Sequence, residues 1–516
     1  MKKSSLALLV LVSLMLLILS GCSSSTDSET QKIESIDDLK GQTIGIISGT
    51  VHDQYASAAI EDMEAFYVDG PSDLVTALNN GKIAAFVDDE PSAKYIIKRN
   101  PDFRILTTLE SYDYGFIFNK DSEKCKKICE EFNEFIATIK ADGTYQEIED
   151  LWFSTDEDAK RIDYSKVNAC TGETLTFATS SSMGEPFSYI VDGEKQGLDV
   201  SIAVLFCETY NYKIKITDYT FSGMLVAVQT GKEDFGSACI TINEERAEKI
   251  LFSNPYYNGG SVVVVSDKVV TGDSSTSFIS SIKESFTNTF IKEDRWKMLA
   301  EGVENTMMIT VLSIICGLVA GFLIFVISFN TGKIYNTIVK VCTFIIDGMP
   351  EVVLLMIFFY IVFNKSDISG IAVSTIVFSI IFAANVFETF KSYTDNIEKV
   401  QYEAACALGF SRMQTFMKVI IPQSLQNVIE SLKGSVVSLI KATAVVGYVA
   451  VQDLTRTSDL IRSRTFDAVF SLISTAIIYF ILEFILVSIV KSIKFKTNPK
   501  NRSEEKILKG IDKNGN

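Results

Sequence analysis

QYEAACALGFSRMQTFMKVIIPQ, residues 401–423, lies between apolar runs long enough to cross a membrane, yet is itself mixed and polar. That contrast places it in a cytoplasmic loop between spans. Within it Glu403-Ala404-Ala405 is followed by Gly409 and, after a further amphipathic stretch, by Ile421-Pro422. The order reads as helix, glycine turn, second helix and proline stop. A short amphipathic helix on a transmembrane scaffold can transmit rigid-body motion from a partner. A linker helix lying on the membrane surface has the same composition.

The surrounding runs set the architecture. Residues 306–330 carry no charge, and about twenty apolar residues span the hydrocarbon core. Further spans are expected over residues 338–363, 368–387, 425–451 (the weakest) and 468–490. Five spans from an outside start put the C-terminus inside. Lys333, Lys340, the 401–423 loop and the tail cations Lys491, Lys494, Lys496, Lys500 and Arg502 agree with a positive inside. Arg456, Arg462 and Arg464 oppose it, falling in an expected outside loop. Glu351 and Glu483 are costly within spans and are expected to face the bundle interior, either lining a path or pairing between helices.

The chain of 516 residues has room for about three domains. Its 47% hydrophobic content fits membrane spans joined to soluble structure. A net charge of −16 argues against a nucleic-acid partner. At the start, two lysines, an apolar core and Leu19-Ser20-Gly21-Cys22 form a secretory leader whose small residues end at a cysteine. Nine scattered cysteines make no disulfide scaffold, and none has metal-ligand spacing, so no metal or cofactor is expected. Cys125 and Cys129, four apart on an expected helix, read as packing residues. The single histidine, His52, has no plausible partner triad and reads as a loop residue.

Between the leader and the spans, residues 36–153 alternate short β-rich runs with helical ones, the pattern of a parallel-sheet lobe. Ser48-Gly49-Thr50 sits after a strand and before a helix, where backbone N–H groups would point at an anion. Asp89 follows a buried strand, a place where an aspartate is often a cap or turn residue. A charged linker leads to a second α/β segment, residues 175–267, containing Phe221-Ser222-Gly223-Met224 and Thr241-Ile242-Asn243-Glu244-Glu245-Arg246. A guanidinium such as that of Arg246 grips a carboxylate through two parallel hydrogen bonds and stays charged at any accessible pH. An ion pair with Glu244 or Glu248 is its structural alternative, and core packing is that of Phe221.

These motifs resemble the polar amino-acid ABC importers. Glu403, Ala404, Ala405, Gly409 and the distal Ile421-Pro422 fall at the spacing of the permease loop that docks on a cytoplasmic ATPase. Asp347-Gly348-Met349-Pro350 and Ala383-Ala384-Asn385 with Glu388 and Lys391 stand at further positions of that permease pattern, of the histidine/glutamine type. The lipobox resemblance implies lipidation of Cys22. Residues 36–153 resemble the second lobe of extracytoplasmic amino-acid-binding proteins, through Leu39-Lys40-Gly41, Ser48-Gly49-Thr50, Asp89-Glu90-Pro91 and Ala141-Asp142-Gly143-Thr144. Residues 175–267 resemble the first lobe, through Pro186-Phe187, Gly197-Leu198-Asp199-Val200 and Phe252-Ser253-Asn254-Pro255. The resemblance implies ligand contacts at Arg246 and Thr241 (carboxylate), Asp89 (ammonium), Phe221, Gly49 and Thr50. Gly184 stands where the family usually has an aromatic residue, so one wall of the usual pocket is absent.

The lobes come in reversed order. One circularly permuted domain is the expected reading, because the family's ends lie close together and the linker can join them; two separate half-domains are the alternative. The expected class is thus multidomain: a two-lobed α/β ectodomain like a periplasmic binding protein, then an all-α transmembrane ABC-permease domain of about five helices. The expected divisions are a leader with lipobox (1–22), tether (23–35), second-lobe-like segment (36–153), linker (154–174), first-lobe-like segment (175–267), stalk (268–298), permease (299–496) and basic tail (497–516). The implied function is capture of an amino acid outside the cell membrane and its passage inward, without enzymatic activity of its own. No GxxxxGK[ST] phosphate loop occurs in the chain, so ATP hydrolysis falls to a separate ATPase subunit. A second permease copy, in a homodimer or heterodimer, and membrane lipid are the other expected partners. A membrane-anchored amino-acid sensor is the alternative; it needs no docking loop.

Overall fold

The computed structural model describes residues 33–68, 70–154, 159–267, 283, 285–366, 368–465 and 467–492. The leader with Cys22, residues 23–32 of the tether, 155–158 of the linker, 268–282 of the stalk and the 497–516 tail lie outside the described residues.

The first segment runs β1 (Thr43–Ile47), α1 (His52–Ala59), β2 (Glu64–Val68), α2 (Pro71–Asn79), β3 (Ala85–Asp89), α3 (Glu90–Arg99), β4 (Phe103–Tyr114), β5 (Ile117–Phe118), α4 (Glu123–Asp142) and α5 (Thr144–Phe153). The second runs α6 (Ser165–Asn168), β6 (Thr174–Thr179), β7 (Tyr189–Val191), β8 (Glu194–Gln196), α7 (Leu198–Thr209), β9 (Lys213–Asp218), α8 (Phe221–Gln229), β10 (Phe235–Gly236), α9 (Glu244–Ala247), β11 (Leu251–Phe252) and β12 (Tyr257–Ser266). Neither segment closes a sheet alone. One sheet has the order β2-β1-β3-β12-β4, so the last strand of the second segment lies inside the first segment's sheet. The other has the order β11-β5-β10-β6-β9, with β5 contributed by the first segment.

Period-two alternation explains why β3 and β12 belong at the centre of the first sheet. Ala85, Val87, Val263 and Val265 bury on one face with Ile44 and Ile46. Phe86, Val262 and Val264 bury on the other, in the main core. The chain crosses between the sheets twice, from β4 to β5 and from β11 to β12. The two crossings run antiparallel side by side, with Tyr257 opposite Tyr114.

The helical domain follows as α10 (Arg295–Asn330), α11 (Lys333–Asp347), α12 (Glu351–Ile357), α13 (Gly370–Asp395), α14 (Lys399–Ala407), α15 (Arg412–Thr415), α16 (Ile421–Ala442), α17 (Leu454–Thr465) and α18 (Ala468–Ser492). Among the described residues, four helices are long and apolar enough to cross a membrane, or five counting one bent pair. That pair, Lys333–Asp347 with Glu351–Val362, turns by 105°. The second expected span is therefore broken at Gly348-Met349-Pro350, where the residue before Pro350 is steered out of helix. The bend puts Glu351 in the first turn of α12, and it is exposed rather than interior to the chain. A helix N-terminus tolerates the carboxylate. Glu483 instead faces Lys441 across α16 and α18, at 3.7 Å.

A close backbone approach joins α10 to α13. A Cβ on Gly321 would sit 2.4 Å from the Ala383 carbonyl, and one on Gly317 2.8 Å from that of Ser379. Small residues four apart permit this packing in membranes.

Pro422 does not end a helix. It lies in the first turn of α16, directly after the wide turn Phe416–Ile420. Proline lacks the N–H that would bond the carbonyl four residues back, and the widened turn absorbs that loss.

Candidate functional site

Arg246 sits on the short helix α9, capped by Asn243, whose side-chain oxygen accepts the Arg246 N–H at 2.8 Å. Its Nη1 donates to the Thr241 carbonyl at 3.2 Å and its Nη2 to the Gly49 carbonyl at 2.9 Å. The guanidinium carbon stands 5.8 Å from the centre of the Phe221 ring. Arg246, Thr241, Phe221 and Gly49 are thus brought together across the two lobes. Glu244 and Glu248 are exposed, and neither forms an ion pair with Arg246 among the described residues. Burial draws the Arg246 guanidinium below its ordinary value, while Asp89 and Glu245 hold it up; it stays cationic.

The turn at Gly49 (φ +80°) differs from the expected anion nest. The Ser48 N–H is committed to the Val68 carbonyl and the Thr50 N–H to that of Ile47. Thr50 also spends its hydroxyl on the Ile47 carbonyl, at 2.7 Å. What Gly49 offers the cleft is its carbonyl, because β1 and its turn consume the neighbouring donors.

Asp89 belongs to an adjoining buried network. Its Oδ1 accepts the hydroxyls of Tyr112, at 2.8 Å, and Tyr114. Its Oδ2 lies 3.7 Å from His52 Nε2 and accepts the Cys239 thiol at 3.7 Å. His52 Nδ1 bonds Ser261 Oγ at 2.7 Å. His52 is therefore not a loop residue: it opens α1, 1% exposed. Its partners come from β3 and β12, too distant in sequence to be paired by inspection. The donor atoms of His52, Asp88 and Asp89 lie within 4.8 Å of one another. With Nδ1 and Oδ1 already engaged, they work as a hydrogen-bonded charge cluster.

Burial alone would lower the His52 pKa, but Asp89 and Asp88 outweigh it and hold the imidazole above its ordinary value. Burial alone would raise Asp89, but His52 and the two phenols keep its carboxylate below the usual range. Asp88 is pushed up to about 7 by burial, reinforced by Asp89. In the unfolded chain an aspartate ionises near about 3.9, so between these values the folded state holds the extra proton. The contribution of Asp88 is full below about pH 4 and is lost as pH rises through about 7. Asp88→Asn is accordingly expected to stabilise the protein at pH 8, by at most roughly 4 kcal/mol, and not at pH 4. Thermal unfolding midpoints at the two pH values check this.

Asp199, quoted above only as part of a motif, is a second buried carboxylate. It accepts from Ser237 Oγ at 2.6 Å, Cys239 N–H at 2.9 Å and Tyr256 hydroxyl at 2.6 Å, and burial pushes its pKa to about 6. It fixes the loop that carries Cys239 and leads to Thr241.

At the far end of the helical domain, α14 presents Glu403 and Ala404 to solvent and buries Ala405. Tyr402 and Phe416 pack on Phe329 at the end of α10. Val400 in the first turn of α14 is 65% exposed, and Leu408, just past the helix end, 79%. Gly409 has φ +81°, a turn that glycine adopts without cost.

The three arginines that opposed the positive-inside pattern lie on α17 and join the two domains. Arg456 Nη2 donates to Asp218 Oδ2 at 2.8 Å and to the Tyr219 carbonyl at 2.6 Å. Arg462 meets Asp73 at 3.0 Å, and Arg464 pairs with Glu185. Asp73 belongs to the lobe of the first sheet and Asp218 to that of the second, so α17 touches both. Lys232 and Asn364 add hydrogen bonds between α8 and the α12 region. The local cations answer local acids, which outweigh the general bias of loop charge.

Residues 276–498 match the family model for the "Binding-protein-dependent transport system inner membrane component". The putative glutamine transport system permease protein GlnP of Rickettsia conorii is 29% identical over 203 residues, 38% of this chain and 92% of the relative. The probable amino-acid ABC transporter permease protein YckA of Bacillus subtilis is 29% identical over 193 residues, 37% of this chain and 85% of the relative. Among solved structures, an amino acid ABC transporter crystallised with histidines covers 42% of this chain and 97% of its own, at 23% identity and TM-score 0.36. The P235GK mutant of ArgBP from T. maritima covers 49% and 94%, at 11% identity and TM-score 0.23. The chain is a multi-pass membrane protein whose residues 276–498 match the model of the binding-protein-dependent transport system inner membrane components, with a two-lobed α/β domain before them.

Proposed function

We propose that the protein is the fused substrate-binding and permease subunit of an ABC importer for polar amino acids, working with a separate cytoplasmic ATPase. The observation that carries this reading is the placement of Arg246, Thr241, Gly49 and Phe221 between two lobes that are themselves fastened to the helical domain through α17. A fixed guanidinium beside backbone carbonyls suits an α-carboxylate, and the buried carboxylate of Asp89 suits an ammonium nearby. The relatives named for glutamine and amino-acid transport support the substrate class.

The interleaved sheets support one permuted binding domain. The exposed Val400 on α14 and Leu408 just past its end, with Glu403, Ala404, Ala405 and Gly409, support a docking face for the ATPase. Exposed Ile338 and Phe344 on α11 suit lipid or a second permease copy. On this reading the two-lobed domain lies outside the cell membrane, with Cys22 as its lipid anchor.

A thermal-shift screen of the full chain against the amino acids tests the substrate class. Selective stabilisation by one or a few polar amino acids is expected, by roughly 3 kcal/mol at a hundredfold excess over Kd. No shift with any of them contradicts the reading.

A further inference from the structure

Asp89 ends β3 at the face between the lobes, because the Cys239 thiol that reaches its Oδ2 comes from the lobe of the second sheet. Its other oxygen, Oδ1, is committed to the hydroxyls of Tyr112 and Tyr114. Oδ2 is therefore the oxygen with room for a cation when the lobes part. One cation source is already beside it: His52 Nε2, from the same lobe as Asp89, stands 3.7 Å away.

A chain of hydrogen bonds fixes which ring nitrogen can lose a proton. The Tyr112 hydroxyl donates to Asp89 Oδ1, so it accepts at its 3.0 Å contact with Ser261 Oγ. Ser261 donates there, and accepts from His52 Nδ1–H at 2.7 Å. Nδ1 thus keeps its proton in both charge states. The proton that comes and goes is the one on Nε2, towards Asp89.

Burial opposes a charge on His52 and Arg246 repels it, but Asp89 and Asp88 outweigh both and favour the imidazolium. The other ionisable groups around the pair are Tyr112 and Tyr114 on β4, Tyr55 stacked on Tyr112 from α1, and Cys239, all held neutral by burial. Asp88 Oδ2 is buried without a hydrogen-bond partner. A ligand ammonium and the imidazolium are then two cations for one carboxylate oxygen, and like charges so placed repel.

We infer that His52 is the resident counter-cation of the ligand cleft: the ammonium of an α-amino acid takes its place at Asp89 Oδ2, and the imidazolium gives its Nε2 proton to water as the ligand binds. The inference rests on the reading of the chain as an amino-acid importer subunit. Coupling of this kind is reciprocal. Ligand lowers the proton affinity of His52, and acid, by restoring the imidazolium, loosens the ligand.

The test uses the full chain in lipid nanodiscs, prepared without a histidine tag and labelled with [15N]histidine. His52 is the single histidine of the sequence, so the label reports one side chain. The probe is whichever protein amino acid equilibrium dialysis at pH 8 shows to be retained. Its binding should lower the titration midpoint of the His52 ring by about one pH unit or more, and its Kd should rise about tenfold or more from pH 8 to pH 5.5. Asp88 gains its proton over the same range and weakens ligand binding in the same direction; the ring signal reads His52 directly. His52→Gln should bind the probe at pH 5.5 about tenfold or more tighter than the parent protein does. A midpoint that stays or rises on binding overturns the exchange and leaves the importer reading standing. Weaker binding by a folded His52→Gln at pH 5.5 overturns it as well. Retention of no amino acid by the parent protein overturns both.

Discussion

Arg246→Ala is expected to abolish high-affinity amino-acid binding while the two-lobed domain stays folded. Among the described residues the Arg246 side chain bonds only carbonyl oxygens, of Thr241 and Gly49, and closes no ion pair. Removing it leaves the sheets intact but deprives a bound carboxylate of its cation. Stranding one partner of a buried pair costs about 3 to 5 kcal/mol, or roughly two to three decades or more in Kd. Calorimetry on the full chain reads the affinity, and the unfolding midpoint reports the fold. Unchanged affinity would remove Arg246 from the site.

The second large effect is expected at the opposite end of the molecule. Leu408 is 79% exposed, immediately before the Gly409 turn, so Leu408→Asp disturbs no packing within the chain. On a docking face, an apolar anchor replaced by a charge costs on the order of 2 kcal/mol or more, about thirtyfold in affinity. Association with the ATPase and ATP-driven uptake should fall together, while ligand binding at Arg246 persists. Gly409→Val should act more weakly. A Cβ there meets nothing, and the cost is confined to the left-handed backbone, about 1 to 2 kcal/mol. Full uptake by Leu408→Asp at normal expression would exclude this face as the coupling surface.

Much of the architecture was legible because it rests on local patterns. Long apolar runs marked α10, α13 and α18, and alternation marked β1 and β3. The helix, glycine turn and second helix after residue 399 appear as α14, Gly409 and α15. What the sequence hid depends on distance along the chain. His52 looked solitary because Asp89 and Ser261 reach it only through β3 and β12. Arg456, Arg462 and Arg464 looked misplaced because their acids, Asp218, Asp73 and Glu185, lie in the other domain. The N–H groups around Gly49 looked available because their acceptors, on Val68 and Ile47, are fixed by strand pairing and a tight turn. Pro422 looked like a stop because a widened helical turn leaves no trace in local propensity.

The central claim is that ligand held between the lobes is carried inward by the same chain. ATP-driven uptake into proteoliposomes containing the full chain and its ATPase, set against ligand affinity measured on the same preparation, tests it directly. Uptake is predicted to be half-maximal near the concentration that half-fills the Arg246 cleft, and to fall with Arg246→Ala. Tight binding without any ATP-driven uptake, the behaviour of a sensor, would contradict it.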